Sequence, residues 1–136
     1  MIRGTTAQFK FKIPYDFDSL SVVKITFWQK NYNGPDETRP LPIIKVLSQC
    51  SQGSSSKELL VSLNKEETLR FTDKRKAYVQ MVAEVVGGIS FGNSPEAITV
   101  YPVHNGSILD DNIIPTPTPG EHDGVIILDG STITTR

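Results

Sequence analysis

The chain has 136 residues, with 14 basic and 15 acidic side chains and a formal net charge of −1. This length accommodates one domain and a tail, and the balanced charge gives no electrostatic basis for binding nucleic acid or anionic lipid. Cys50 is the single cysteine, which excludes an intrachain disulfide, and no apolar run reaches the length of a membrane span. The first residues lack the apolar core of a signal peptide, which predicts synthesis and folding in a cytoplasm.

Alternation of apolar and polar side chains predicts six strands along the first 103 residues. Their predicted ranges are 8–13, 21–30, 42–47, 58–63, 77–86 and 97–103. Short strands with turn residues between them, and no long segment of helical period, favour an antiparallel arrangement over a βαβ fold. We therefore predict an all-β protein, an immunoglobulin-like antiparallel β-sandwich over residues 1–103. Polar turn segments at 31–40 and 48–57 and a predicted loop at 87–96 connect its strands.

The best-specified stretch joins a helical turn to the longest alternating strand. Asn64 can accept a backbone hydrogen bond at the start of the turn, and Glu67 is placed to complete a capping box with it. Leu69 and Phe71 follow as predicted apolar anchors. Every second residue of 77–86, starting with alanine 77, is apolar, which predicts a strand with one face on the core. The stretch is predicted to be scaffold.

The composition changes after residue 103. Alternating prolines between 104 and 124 predict an extended spacer, and a β-prone arm follows at 125–136. The apolar part of this arm is Val125, Ile126, Ile127 and Leu128. A lone hairpin is marginal in water, so this strand needs a partner sheet. We predict that it adds to another subunit; docking on the edge of its own domain and disorder in isolation are the alternatives.

No residue pattern indicates catalysis, a cofactor or a metal site. His104 and His122 are the only histidines and lie near no nucleophile motif. The acidic clusters 110–112 and 121–123 lack the spacing of a calcium loop and are more typical of solvated turns. Cys50 has no close basic neighbour in the sequence, so a reactive thiolate is not expected.

Three aromatic residues are candidates for an exposed binding platform: Trp28, Tyr32 and Tyr101. Trp28 lies on the face of its strand opposite the apolar row of the predicted core. Aromatic rings at such positions can stack on a sugar or contact another protein. Packing of Trp28 beneath a loop is the alternative, and the one that we favour.

Several motifs in order carry a family resemblance over about residues 1–103. They are Met1–Thr6, the Phe-x-Phe-x-Ile strand into Pro14, Thr26-Phe27 followed by Gln29-Lys30, Cys50 before a polar loop, and Leu63-x-x-Glu66-Glu67-Thr68-Leu69-x-Phe71. With these motifs the chain resembles a family of small tail- and baseplate-associated virion structural proteins of tailed phages and prophages of gut and other low-GC Gram-positive bacteria. The resemblance implies no catalytic motif, and it does not extend to the proline-rich spacer or the arm.

These observations predict a non-enzymatic structural protein of a phage virion, made in the host bacterial cytoplasm. It would act as an assembly or decoration module of the tail or baseplate. Its expected partners are other virion proteins and copies of itself, with neither nucleic acid nor membrane among them. One alternative is a head or neck decoration protein of the virion. The other is a carbohydrate-binding module that recognises a host surface glycan.

Overall fold

The computed structural model of the protein describes residues 1–30, 41–102 and 125–129. Within them the chain forms nine strands and one helical turn. In chain order these are β1 Ala7–Lys12, β2 Leu20–Trp28, β3 Ile43–Val46, β4 Ser51–Gln52, β5 Glu58–Leu63, α1 Lys65–Thr68, β6 Ala77–Val85, β7 Ser90–Gly92, β8 Glu96–Ile98 and β9 Val125–Asp129. Short 3-10 helices occupy Phe17–Ser19 and Leu47–Gln49.

The strands form two sheets. One has the order β4-β5-β1-β9, and the other has the order β3-β2-β6-β7, with β8 also paired to β6. All pairings are antiparallel except that of β1 with β9, which is parallel. The predicted all-β class is therefore confirmed.

The core lies between the two sheets and is built from alternate residues of their strands. Phe9 and Phe11 of β1 and Phe27 of β2 are fully or almost fully buried, and the rings of Phe9 and Phe27 lie 4.8 Å apart. Aromatic contacts of this kind stabilise a core beyond the burial of apolar area alone. The strict alternation of buried and half-buried residues along β6 confirms its predicted two-sided character.

The predicted helical turn and capping box are confirmed. The Glu67 N–H donates to Asn64 Oδ1 at 2.8 Å, and the Asn64 N–H donates to Glu67 Oε1 at 2.9 Å. Of the two predicted anchors, Phe71 is fully buried, whereas Leu69 is 39% exposed. The prediction for Leu69 was wrong because α1 is a single turn whose C-cap is Leu69 itself, and that side chain faces solvent.

The region after β6 differs from the predicted pattern. Strand β7 lies within 87–96, which we predicted to be a loop, and the predicted strand 97–103 is reduced to β8. After β8 the chain pairs with the first residues: Ile2 and Tyr101 form a parallel bridge, and the Arg3 N–H donates to the Tyr101 carbonyl at 3.0 Å. Together β7 and β8 cover one edge of β6. After β8 the chain leaves that edge to pair with the first residues, so the predicted strand 97–103 ends early.

Candidate strand-docking site

The described part of the C-terminal arm, β9, pairs with the edge of β1 that β5 does not occupy. Strand β9 runs parallel to β1, with Gln8 opposite Val125 and Lys12 opposite Asp129. The other edge of β1 is paired along its full length with β5. The arm therefore completes a sheet edge whose backbone N–H and C=O groups would otherwise lack partners in the sheet.

Leu128 secures this pairing in the apolar core. It is opposite Phe11 in the register, and only 7% of it is exposed, within the same cluster as the Phe9 and Phe11 side chains. Burial of a leucine side chain stabilises a structure by about 1.5–3 kcal/mol. We call this the strand-docking site. It consists of the edge of β1 that pairs with β9 and the buried Phe11 side chain opposite Leu128.

Three arrangements are possible for the arm segment: addition to another subunit, docking on its own domain, and disorder. In the structure this segment docks on the edge of its own domain. The segment is Val125, Ile126, Ile127 and Leu128. Addition of the arm to another subunit stays a prediction. The proline-rich spacer 104–124 and the end of the arm at 130–136 lie outside the described residues, as does the turn segment 31–40.

A network of polar side chains borders the docking site on the outer face of its sheet. Lys10 on β1 lies 3.5 Å from Glu58 Oε2 on β5. The pKa of the Glu58 carboxyl is lowered, chiefly by a hydrogen bond from the Ser54 hydroxyl, with further contributions from the Ser55 N–H and the Lys10 ammonium. These contacts hold the turn before β5 and fix the strand that supports β1.

The candidate aromatic platform differs from the predicted set. Trp28 stacks on Tyr78, its cross-strand neighbour on β6, with ring centroids 5.8 Å apart and an interplanar angle of 26°. Tyr101 is half-buried beside Ile2, and Tyr32 lies outside the described residues. Tyr78 was missed as a candidate, although its place on the outward face of the alternating strand was visible in the sequence.

Cys50 lies in an environment that disfavours its thiolate. Partial burial raises the pKa of the Cys50 thiol to about 11, against an opposing effect of the Lys45 ammonium. The thiol also donates to the Val46 carbonyl at 3.4 Å. Desolvation penalises the charged form of an ionisable group, and the thiolate is the nucleophile.

We expect slow alkylation of Cys50 by iodoacetamide in the folded protein. With a pKa of about 11, only about 0.1% of the thiol is ionised at pH 8, against about a quarter for an ordinary cysteine. Because deprotonation increases with pH, the rate should rise about tenfold per pH unit from pH 7 to pH 10. Mass spectrometry measures the rate, and the urea-unfolded chain is the control. A plateau near pH 9 in the folded protein would contradict the assignment.

No group of three or more histidine, cysteine or acidic side chains suited to a metal ion occurs among the described residues. The histidines His104 and His122 and the acidic clusters 110–112 and 121–123 lie outside that part of the chain. In the same described ranges, no helix is long and apolar enough to cross a membrane.

The chain was compared with protein-family models, with curated proteins and with solved structures, and none of them matches it.

Proposed function

We propose that this protein is a non-enzymatic structural component of a phage virion, in which an immunoglobulin-like β-sandwich joins neighbouring subunits through its C-terminal arm. The tail or baseplate is the proposed location, and head or neck decoration is the alternative within the virion. The partners are other virion proteins and further copies of this chain. The chain would be synthesised in the cytoplasm of the bacterial host.

The observation that carries this proposal is the parallel pairing of β9 with the edge of β1, with Leu128 buried opposite Phe11. A short strand beyond a long connecting segment, completing the edge of a sheet, is the arrangement used in β-augmentation. In that mode main-chain hydrogen bonds supply affinity, and side chains that enter the groove supply specificity. The docking site has both elements, since Leu128 enters the core while the backbones pair.

The virion setting is supported by the resemblance of residues 1–103 to tail- and baseplate-associated structural proteins. A structural role also agrees with how the buried polar side chains are used. Gln29 donates to the carbonyls of Thr72 and Arg75, both at 2.8 Å, and accepts from the Thr72 N–H. The Thr68 hydroxyl is within hydrogen-bonding distance of the Thr5 carbonyl and accepts from the Gly4 N–H. These contacts hold loops in place around the sandwich.

The docking role predicts that the arm is needed for incorporation into particles. A chain truncated after Asn112, and a full chain carrying Leu128→Asp, should both be depleted from purified virions, because neither can bury an apolar side chain opposite Phe11. Leu128→Met is the matched control, since it preserves volume and apolar character and should be incorporated like the parent. Quantitative mass spectrometry of particles gives the occupancy. Full occupancy by the truncated chain would show that the arm is not the anchor.

A carbohydrate-binding module is a second candidate function, and the stacked pair Trp28 and Tyr78 is the observation that favours it. Rings on an outer sheet face can stack on a sugar ring. Titration with host cell-wall polysaccharide should then change the fluorescence of Trp28, the only tryptophan, and Tyr78→Ala should weaken the response. An unchanged spectrum at saturating polysaccharide would contradict this function.

A further inference from the structure

We infer that the docking partner of the arm is a second copy of this chain: β9 of one copy pairs with β1 of another, in the same parallel register that β9 adopts on its own β1. This inference rests on the proposed function and names the partner of that site. It follows from three features: the length of the connecting segment, the independence of the acceptor edge, and the equivalence of the two pairings.

The connecting segment is far longer than docking within one chain requires. The sandwich ends beside the residues that precede β1, because Tyr101 is paired with Ile2 and Arg3. Strand β9 begins opposite Gln8. Even if residues 3–8 were fully extended, the gap from Tyr101 to Val125 would be under about 30 Å. Residues 103–124 can span at most about 75 Å. This reach is more than twice the gap.

That reach is sufficient for a neighbouring copy. A domain of about 100 residues has a radius of gyration of about 13 Å, so its diameter is on the order of 35 Å. A segment that spans about 75 Å can therefore pass from one sandwich to the β1 edge of an adjacent sandwich. The edge on the same chain and the edge on a neighbour are both accessible to the same arm.

The acceptor edge is built by residues other than the arm. Strand β1 is paired with β5 from Ala7 opposite Leu63 to Lys12 opposite Glu58. Phe9 and Phe11 are fixed by burial between the sheets rather than by β9 alone, since Phe9 lies against Phe27 of the other sheet. When its own arm leaves, β1 remains a formed strand with a free edge, and such an edge is a template for another strand.

The two pairings make identical contacts, so exchange has little enthalpic penalty. Strand β9 has 5 residues, and among the strands that the structure describes it pairs with β1 alone. A reciprocal exchange replaces each pairing by the same pairing in another copy, as in domain swapping. Within one chain the arm is favoured by an effective concentration on the order of millimolar. Exchange therefore requires copies held at comparable or higher local concentration, as in a multi-subunit assembly.

Engineered disulfides test the exchange directly. In a Cys50→Ser background, one full-length variant carries Lys10→Cys and a second carries Ile127→Cys. These positions are opposite each other in the β1–β9 register, and paired strand positions lie within the Cα separation of 4.4–6.8 Å that a disulfide needs. The two variants are mixed at about millimolar concentration, unfolded, refolded together and oxidised. Non-reducing electrophoresis should reveal a disulfide-linked mixed dimer.

Two further samples interpret the result. Ser62→Cys replaces Lys10→Cys in the control mixture; Ser62 is exposed on β5, separated from β9 by β1, and should give no mixed dimer. A single chain carrying both Lys10→Cys and Ile127→Cys should close its own disulfide in dilute solution, which shows that the register is correct.

Each outcome has one meaning. A mixed dimer at Lys10 but not at Ser62 supports exchange between copies. Closure only within the doubly substituted chain, with no mixed dimer, overturns exchange and leaves the arm a fixed part of its own sandwich. Failure of both cross-links overturns the exchange and also the docking site itself, whereas the virion role is judged separately by particle incorporation.

Discussion

Glu67→Leu should destabilise the protein by about 3–5 kcal/mol in urea unfolding, because it leaves a nearly buried ammonium without its counter-ion. Lys45 Nζ lies 2.8 Å from Glu67 Oε2, and the two side chains are 13% and 12% exposed. Glu67 also accepts from the Asn64 N–H at 2.9 Å. The Glu67 carboxylate therefore caps α1 and also ties α1, which follows β5, to the edge strand β3. Its loss should affect both sheets.

Two matched variants separate the charge from the cap. Glu67→Gln keeps an acceptor for the Asn64 N–H, so it should destabilise less than the leucine variant. The double variant Lys45→Met with Glu67→Leu replaces both charges by apolar groups of similar size, and such replacements of buried ion pairs are often close to neutral. We expect it to be more stable than Glu67→Leu alone. Lys45→Met alone is measured as well. If the double variant lost as much stability as Lys45→Met and Glu67→Leu do together, the ion pair would not be the cause of the effect.

Gly92→Ala should destabilise the protein by about 3 kcal/mol and lower the melting temperature by roughly 10–20 °C. A Cβ at this position would meet the Met81 carbonyl oxygen, with the Val82 Cα atom 3.3 Å away. Both atoms belong to the backbone of β6, which is paired with β2 on one side and with β7 and β8 on the other. A backbone held on both sides cannot shift to relieve the clash, so we expect the strain to remain.

The neighbouring Asn93 explains why the chain approaches β6 so closely at Gly92. The Met81 N–H donates to Asn93 Oδ1 at 2.6 Å, and the Asn93 N–H donates to the Met81 carbonyl at 3.2 Å. The side-chain oxygen takes the place of a backbone acceptor between β7 and β8. Ser90→Ala on the same strand is the control and should leave the melting temperature nearly unchanged. An equally small shift for Gly92→Ala, measured by circular dichroism, would rule out the steric account.

Features set by neighbouring residues were predictable from the sequence. The capping box requires only that Asn64 and Glu67 lie three residues apart, and the alternation of Phe9 and Phe11 with lysines is enough to place one face of β1 on a core. The strand β9 was also visible, as an apolar run between Asp-Gly pairs. Its register on β1 was not, because a strand of this kind can pair with any free edge of suitable character.

Features set by the packing of distant segments could not be predicted. Lys45 and Glu67 meet only because the two sheets face each other, and no pattern in the sequence links an edge-strand lysine to the capping carboxylate. The segment 87–96 is predicted to be a loop that begins at Gly87-Gly88, where the preceding strand ends. It is instead an interrupted edge strand in which Asn93 bridges the gap by its side chain. The stacking of Trp28 on Tyr78 depended in the same way on the β2–β6 register.

The bridge between Ile2 and Tyr101 places the first residues and the last described residues of the sandwich at the same pole of the domain. Strand β8 runs antiparallel to β6 and ends with Ile98 opposite Ala77, the first residue of β6. The segments around Ile2 and Tyr101 therefore lie beyond that end of β6. The β6–β7 hairpin turn lies at the opposite pole, where Val86 is 75% exposed and Ile89 is 50% exposed. Residue 102, the last described residue before the connecting segment, lies at the Tyr101 pole. The exposed apolar tip of the hairpin is therefore at the pole opposite the start of that segment.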